Sequence, residues 1–139
     1  MGEWVLTDTQ RAAMRRLAER HGWELVVLFG SVARDGTGRD LDLAVLPGGA
    51  ERRRGPDLFR HGRWQRELEE ALEPWRVDVL VLSDRLSPVT RQEVFRDGIC
   101  LYEAETGRFE QEQDRALFLY MDSAFLRERA RGAREATEQ

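Results

Sequence analysis

Hydrophobic positions along the first half of the chain follow two spacings, one typical of helices and one of buried strands. Small and apolar residues recur at helical intervals between a capping residue, Thr7 or Asp8, and Gly22, which predicts a first helix. Short apolar runs at 23–29 and 41–46 predict two buried strands. The stretch between these strands is short, so we expect only one or two helical turns there.

The second half of the chain repeats this alternation. After a loop rich in Gly and Arg at 48–55, apolar residues on one helical face, from Trp64 to Trp75, predict a helix that Pro74 closes. A strand is predicted at 77–82, a helix between Ser87-Pro88 and Gly98, a strand at 99–102 and a last amphipathic helix at about 109–131, with a polar tail after Gly132. Alternating strands and helices indicate an α/β or α+β sheet domain.

Composition narrows the functional classes. A chain of 139 residues fits one domain, predicted here over residues 1–139. The net charge of −4 and the pI near 5.3 argue against a general electrostatic grip on nucleic acids. All 22 basic residues are Arg, and the absence of Lys excludes Schiff-base catalysis and the Walker A phosphate loop.

Cysteine and histidine content and hydropathy add three expectations. One cysteine, Cys100, and two histidines cannot form an internal disulfide or a four-ligand Cys/His zinc site. No apolar stretch is long enough for a membrane helix, and residues 1–10 lack the pattern of a signal peptide. We therefore predict a cytoplasmic protein.

The second predicted strand carries a pair of acids at its start. Side chains alternate along a strand, so Asp40 and Asp42 project from one face while Leu41 and Leu43 project from the other. Two like charges this close raise each other's pKa unless water or a divalent cation compensates them, and Mg²⁺ suits hard oxygen ligands. Taken alone, an Asp-x-Asp pair is more often the solvated end of a strand.

Three further features lie near this pair in the sequence. Gly30-Ser31 follows the first strand, where a glycine lets the backbone approach a ligand and a short helix could bind an anion. Arg34 and Arg39 carry guanidinium groups suited to phosphate oxygens. Asp78 stands second in an otherwise apolar strand, where an unpaired charge is costly to bury. Each feature has an ordinary explanation as a turn, a surface residue or a strand end, but their combination is more specific.

The segments Gly30-Ser31-Val32-Ala33-Arg34, Asp40-Leu41-Asp42-Leu43 and Val77-Asp78-Val79 together resemble the minimal nucleotidyltransferase (MNT) family of the DNA polymerase β superfamily. The resemblance covers about residues 23–102. It implies a polymerase β-like nucleotidyltransferase fold, with a small mixed sheet flanked by helices. Many members of this family are antitoxins paired with HEPN-domain ribonuclease toxins, so the implied activity is the transfer of AMP from ATP to a toxin tyrosine.

The resemblance also implies roles for individual residues. The three carboxylates would bind two Mg²⁺ ions, one of them bridging the ATP phosphates, and Asp78 would also accept the proton of the attacking hydroxyl. The loop before the first acid is shorter than is usual in the family, and Arg39 stands where a serine is common. The implied metal ligands are Asp40, Asp42 and Asp78, and the implied nucleotide-binding residues are Gly30, Ser31, Arg34 and Arg39.

The sequence is also compatible with two other functions. A nucleotidyltransferase could act on a small hydroxylated molecule such as an aminoglycoside, although little chain is left after Tyr102 to enclose it. Alternatively, the protein could be a non-catalytic antitoxin or binding module that only covers its partner, with aromatic residues of the last helix as contacts. Intact acids argue against that second alternative.

Overall fold

The computed structural model describes residues 5–138, and the side chains up to Arg134. Residues 1–4 and 139, which include the two ends of the predicted 1–139 domain, lie outside this description. Six helices and four strands occupy the described part. In chain order they are α1 (Asp8–His21), β1 (Leu25–Phe29), α2 (Gly30–Asp35), β2 (Asp40–Leu46), α3 (Gly49–Arg54), α4 (Leu58–Ala71), β3 (Arg76–Val81), α5 (Pro88–Arg96), β4 (Ile99–Glu103) and α6 (Arg108–Glu138).

The four strands form one mixed sheet in the order β3-β2-β1-β4. β1 pairs antiparallel with both β2 and β4, whereas β2 and β3 run parallel. Helices cover the two faces of the sheet, so the predicted fold class, a small mixed sheet flanked by helices, is confirmed. No helix in the described part of the chain is both long and apolar enough to cross a membrane.

Alternation along the strands divides the apolar core into two layers. On one face, Leu41, Leu43 and Val77 pack with residues of α1 and α4, including Trp64. On the other face, Ala44 packs with residues of α5 and α6, which contribute Val94, Phe95 and Ala116. The face that bears Ala44 is also the face that Asp40 and Asp42 share, because even-numbered positions of β2 point the same way.

Local signals fix most helix ends as predicted. Thr7 caps α1 in a capping box with Gln10, and Gly22 ends the helix in the left-handed conformation. The Ser87 hydroxyl accepts a hydrogen bond from the backbone N–H of Thr90, and Pro88 occupies the first turn of α5.

The structure corrects three local predictions. Residues 48–55 contain a helix, α3, rather than only a loop. α4 ends at Ala71, so Trp75 lies beyond the helix and packs against the core from the following turn. The last helix continues past Gly132 to Glu138 instead of fraying there.

Candidate functional site

The first residues of β2 place two carboxylates at one end of the sheet. Asp40 is exposed and Asp42 is partly buried, whereas Leu41 and Leu43 point to the opposite face and are fully buried. The apolar residues therefore anchor the strand in the core. This anchoring holds both carboxylates on the face that also bears Ala44.

β3 brings the third carboxylate to the same place. Asp78 is the register partner of Asp42 in the parallel pair, so the two side chains project from the same face of adjacent strands, about 5 Å apart at the backbone. Asp78 is exposed because it lies on β3, the edge strand, while its neighbours Val77 and Val79 are buried. The predicted grouping of Asp40, Asp42 and Asp78 on one sheet face is thus present in the fold.

Gly30 joins β1 to α2 directly against this acidic face. Its φ of +78° lies in the left-handed region, and a Cβ added there would be 2.1 Å from Asp42 Oδ2. A side chain at position 30 would therefore both strain the backbone and displace the Asp42 carboxylate. The glycine is required at this position by conformation and by space.

The turn after Gly30 is compact as well. Ser31 is partly buried, and a Cβ added to Gly38 would lie 2.9 Å from Ser31 Oγ and 2.7 Å from Val32 Cγ2. The chain leaving α2 therefore folds back over Ser31 before it enters β2. Within the described residues, Ser31 Oγ has no hydrogen-bond partner, so the hydroxyl is available to a ligand.

Electrostatics single out Asp42 among the three acids. Partial burial raises the pKa of Asp42, and the neighbouring charges of Asp78 and Asp40 raise it further. The Arg34 guanidinium acts in the opposite direction but does not compensate. The ionised form of Asp42 is therefore disfavoured in the fold, and a cation bound there would stabilise it.

The two predicted arginines occupy different positions. Arg34 is in the last turn of α2, close enough to influence Asp42, and Arg39 directly precedes β2. Both are exposed, and neither forms an ion pair within residues 5–134. The structure adds Arg76, the register partner of Asp40, as a third cation beside the acids. The sequence places Arg76 two residues before Asp78. Its position next to Asp40 depends on the strand register, which the sequence alone does not give.

The arginines Arg52, Arg53 and Arg54 do not belong to this site. They lie in α3, which follows the far end of β2, so about 20 Å of strand separates them from Asp40. Arg52 instead pairs with Glu24. Arg34 and Arg39 therefore lie at one end of β2, and the three arginines of α3 lie at the other.

The donor set is of the kind that binds divalent cations, since carboxylate oxygens are hard ligands. Among the described residues, however, no three His, Cys, Asp or Glu side chains converge closely enough to form a ready metal cluster. Two features favour a divalent ion at this site. The ionised Asp42 carboxylate lacks compensation, and all three carboxylates lie on one face of the sheet. Chemically, the arrangement offers a cation site next to a hydroxyl and a glycine turn.

Comparisons with known proteins identify the family of the chain. A family model described as polymerase beta, nucleotidyltransferase matches residues 14–107. A search of curated protein sequences found no match.

Two solved structures share the fold over nearly their whole length. One is a crystal structure of a toxin–antitoxin with AMP-PNP, at a TM-score of 0.66 and 21% identity, covering 93% of this chain and 98% of that one. The other is a tri-AMPylated Shewanella oneidensis HEPN toxin in complex with an MNT antitoxin, at a TM-score of 0.63 and 20% identity, covering 94% and 97%.

The family match spans more than half of the chain and includes Asp40, Asp42, Asp78 and the turn at Gly30. The fold of the described residues agrees with it independently. The chain therefore belongs to the polymerase beta nucleotidyltransferase family.

Proposed function

We propose that this protein transfers AMP from ATP to a hydroxyl group, most simply a tyrosine, of a partner HEPN toxin and so acts as the antitoxin. The observation that carries the proposal is the position of Asp40, Asp42 and Asp78 on one open sheet face beside Gly30-Ser31. The solved toxin–antitoxin structures of the same fold support this choice of acceptor, since one of them contains an AMPylated toxin.

In this proposal the three carboxylates hold Mg²⁺, whose role when bound is to neutralise the phosphate charge and stabilise the charge that develops during transfer. The positive local charge of Arg34, Arg39 and Arg76 also favours a triphosphate near the acids. The Ser31 hydroxyl and the backbone after Gly30 bind phosphate oxygens, because no side chain at position 30 blocks their approach.

The transfer joins the hydroxyl oxygen of the acceptor to the α-phosphorus of ATP and releases pyrophosphate. A carboxylate oxygen of Asp78 accepts the hydroxyl proton, since Asp78 is exposed on the edge strand β3, where an acceptor can approach it. Positioning of the two reactants lowers the activation barrier by about 7–11 kcal/mol. A general base accelerates the reaction by about 10²- to 10⁴-fold, which corresponds to only about 3–5 kcal/mol. Alignment of the nucleotide is thus the larger contribution.

The proposal is tested by co-expressing the chain with the protein encoded by the adjacent open reading frame, which the proposal expects to be a HEPN-domain protein, and measuring the intact mass of that protein. We expect the wild type to add one or more AMP groups and to relieve toxicity, and Asp42→Asn to do neither. Asp84→Asn, an exposed acid beyond β3, is the matched control and should behave as wild type. Relief of toxicity by Asp42→Asn would indicate a steric antitoxin instead.

A further inference from the structure

The last helix carries an apolar surface that the rest of the chain does not cover. Leu117, Met121 and Phe125 follow one another at intervals of four residues and so lie on one side of α6. Phe118 and Leu126 flank them, and all five side chains are between 47% and 69% exposed. We call these five residues the α6 patch.

The patch belongs to a part of α6 that has little support from the domain. Glu112 and Ala116 are buried against α5, but no residue from Leu117 to Arg134 is buried. Helices in proteins are stabilised mainly by packing of an apolar face, and contiguous exposed apolar surfaces usually mark binding sites. The length involved, about 27 Å of helix, is enough for a partner to pack along.

A second copy of this chain is disfavoured as the occupant of the patch in two simple pairings of α6 helices. In an antiparallel pair centred on Met121, Asp114 would face Glu128 and Arg115 would face Arg127, because these residues are equally far from the centre. In a parallel pair each charged residue would face its own copy. These two pairings both bring like charges together, which disfavours them.

The charge beside the patch instead fits an acidic partner. Residues 117–134 contain four arginines against two acids, Asp122 and Glu128, although the whole chain is negative. Arg129 lies over the Phe125 ring and so borders the patch itself, and Arg127 lies over the ring of Tyr120, the residue before Met121. A surface with an apolar centre and a carboxylate rim would complement it in both respects.

We propose that the acceptor protein of the AMP-transfer reaction docks on the α6 patch through an apolar surface edged by acidic residues; this inference rests on the proposed function. The face of the sheet that bears the three acids is the face that α5 and α6 cover elsewhere. A protein held on α6 is therefore bound on the side of the sheet from which the carboxylates project. Because the acid site is open, we expect the acceptor protein to be bound by a surface away from the acids, such as the α6 patch.

The test measures, by isothermal titration calorimetry, the affinity of the full chain for the acceptor protein identified by the AMP-transfer experiment above. All variants are made in the Asp42→Asn background, so that AMP transfer does not alter the partner. Phe125→Glu and Met121→Glu should each weaken binding by at least about tenfold, because substitution at the centre of an interface has the largest effect. Both positions are exposed and glutamate is a good helix former, so the fold is retained.

Phe59→Glu is the matched control, since Phe59 is 92% exposed on α4, outside the patch, and its variant should bind within twofold of the parent. Arg134→Glu should weaken binding, and added salt should do the same. Binding by Phe125→Glu within twofold of the parent, or a dimer of the free chain that Phe125→Glu dissociates, overturns the docking proposal. Binding that depends on the patch, without AMP transfer by the wild type, contradicts only the proposed function.

Discussion

At the residue scale, the site depends on a few positions whose neighbours are set by the sheet. Asp42 is the central one, since it is the register partner of Asp78, shares a face with Asp40 and lies against Gly30. The sequence predicted these residues because their types are unusual in apolar strands. It did not predict Arg76, because a residue's neighbour across the sheet depends on strand order and register.

Gly30→Ala should destabilise the fold and lower AMP transfer. The left-handed backbone at Gly30 costs a non-glycine residue about 1–2 kcal/mol, and the new Cβ also meets Asp42 Oδ2. Gly22→Ala is the control, because Gly22 has a similar φ of +68° but open space around its Cβ position. Urea unfolding should show a loss for both variants and a larger one for Gly30→Ala. Equal losses and unchanged transfer would mean that the Asp42 contact is irrelevant.

Asp42→Asn should raise the free energy of unfolding at pH 7 in metal-free buffer. The pKa of Asp42 is raised in the folded state by burial and by Asp78 and Asp40, so its ionised form opposes folding above that pKa. The gain should shrink as the pH falls through the raised pKa and disappear below 3.8, where the wild-type carboxyl is protonated in both states. Glu105→Gln, at an exposed acid, should show no such gain. A pH-independent difference contradicts this account.

At the element scale, the sequence predicts helices and strands whose ends carry their own signals and misses those that tertiary contacts stabilise. Thr7, Gly22 and Ser87 mark helix ends locally. In contrast, the residue types of α3 are typical of a loop. The helix is held by two ion pairs, Glu51 with Arg60 of α4 and Arg52 with Glu24. These ion pairs connect residues that are distant in sequence or separated by a turn, and periodicity does not reveal them.

The Glu51–Arg60 pair should therefore stabilise α3 against α4. Arg60 is buried, and it also donates to the backbone carbonyl of Gly55. A double-mutant cycle of Glu51→Gln with Arg60→Met should give a coupling energy of about 1.5–3 kcal/mol in chemical denaturation. Arg54 pairs with the same carboxylate at 3.7 Å but is largely exposed, so its cycle should give less than about 1 kcal/mol. Equal coupling energies would contradict the role assigned to Arg60.

At the scale of the whole molecule, the sheet organises the protein into a supported side and an open side. α1 and α4 cover one face of the sheet with apolar residues. α5 and the first part of α6 cover the other face, at the end away from the acids. The acids occupy the end of that second face, and α6 has no fully buried residue between Leu117 and Arg134. The mixed fold class was predictable from alternating elements, but the strand order and the exposed half of α6 were not.

The central claim is that Asp40, Asp42 and Asp78 act together in nucleotidyl transfer. It is tested most directly by the initial rate at which the HEPN-domain protein gains label from ATP labelled at the α-phosphate, in the presence of Mg²⁺. We predict that Asp40→Asn, Asp42→Asn and Asp78→Asn each lower the rate by at least about 10²-fold, while Asp84→Asn leaves it unchanged. A rate within twofold of the wild type for any of the three would contradict the claim.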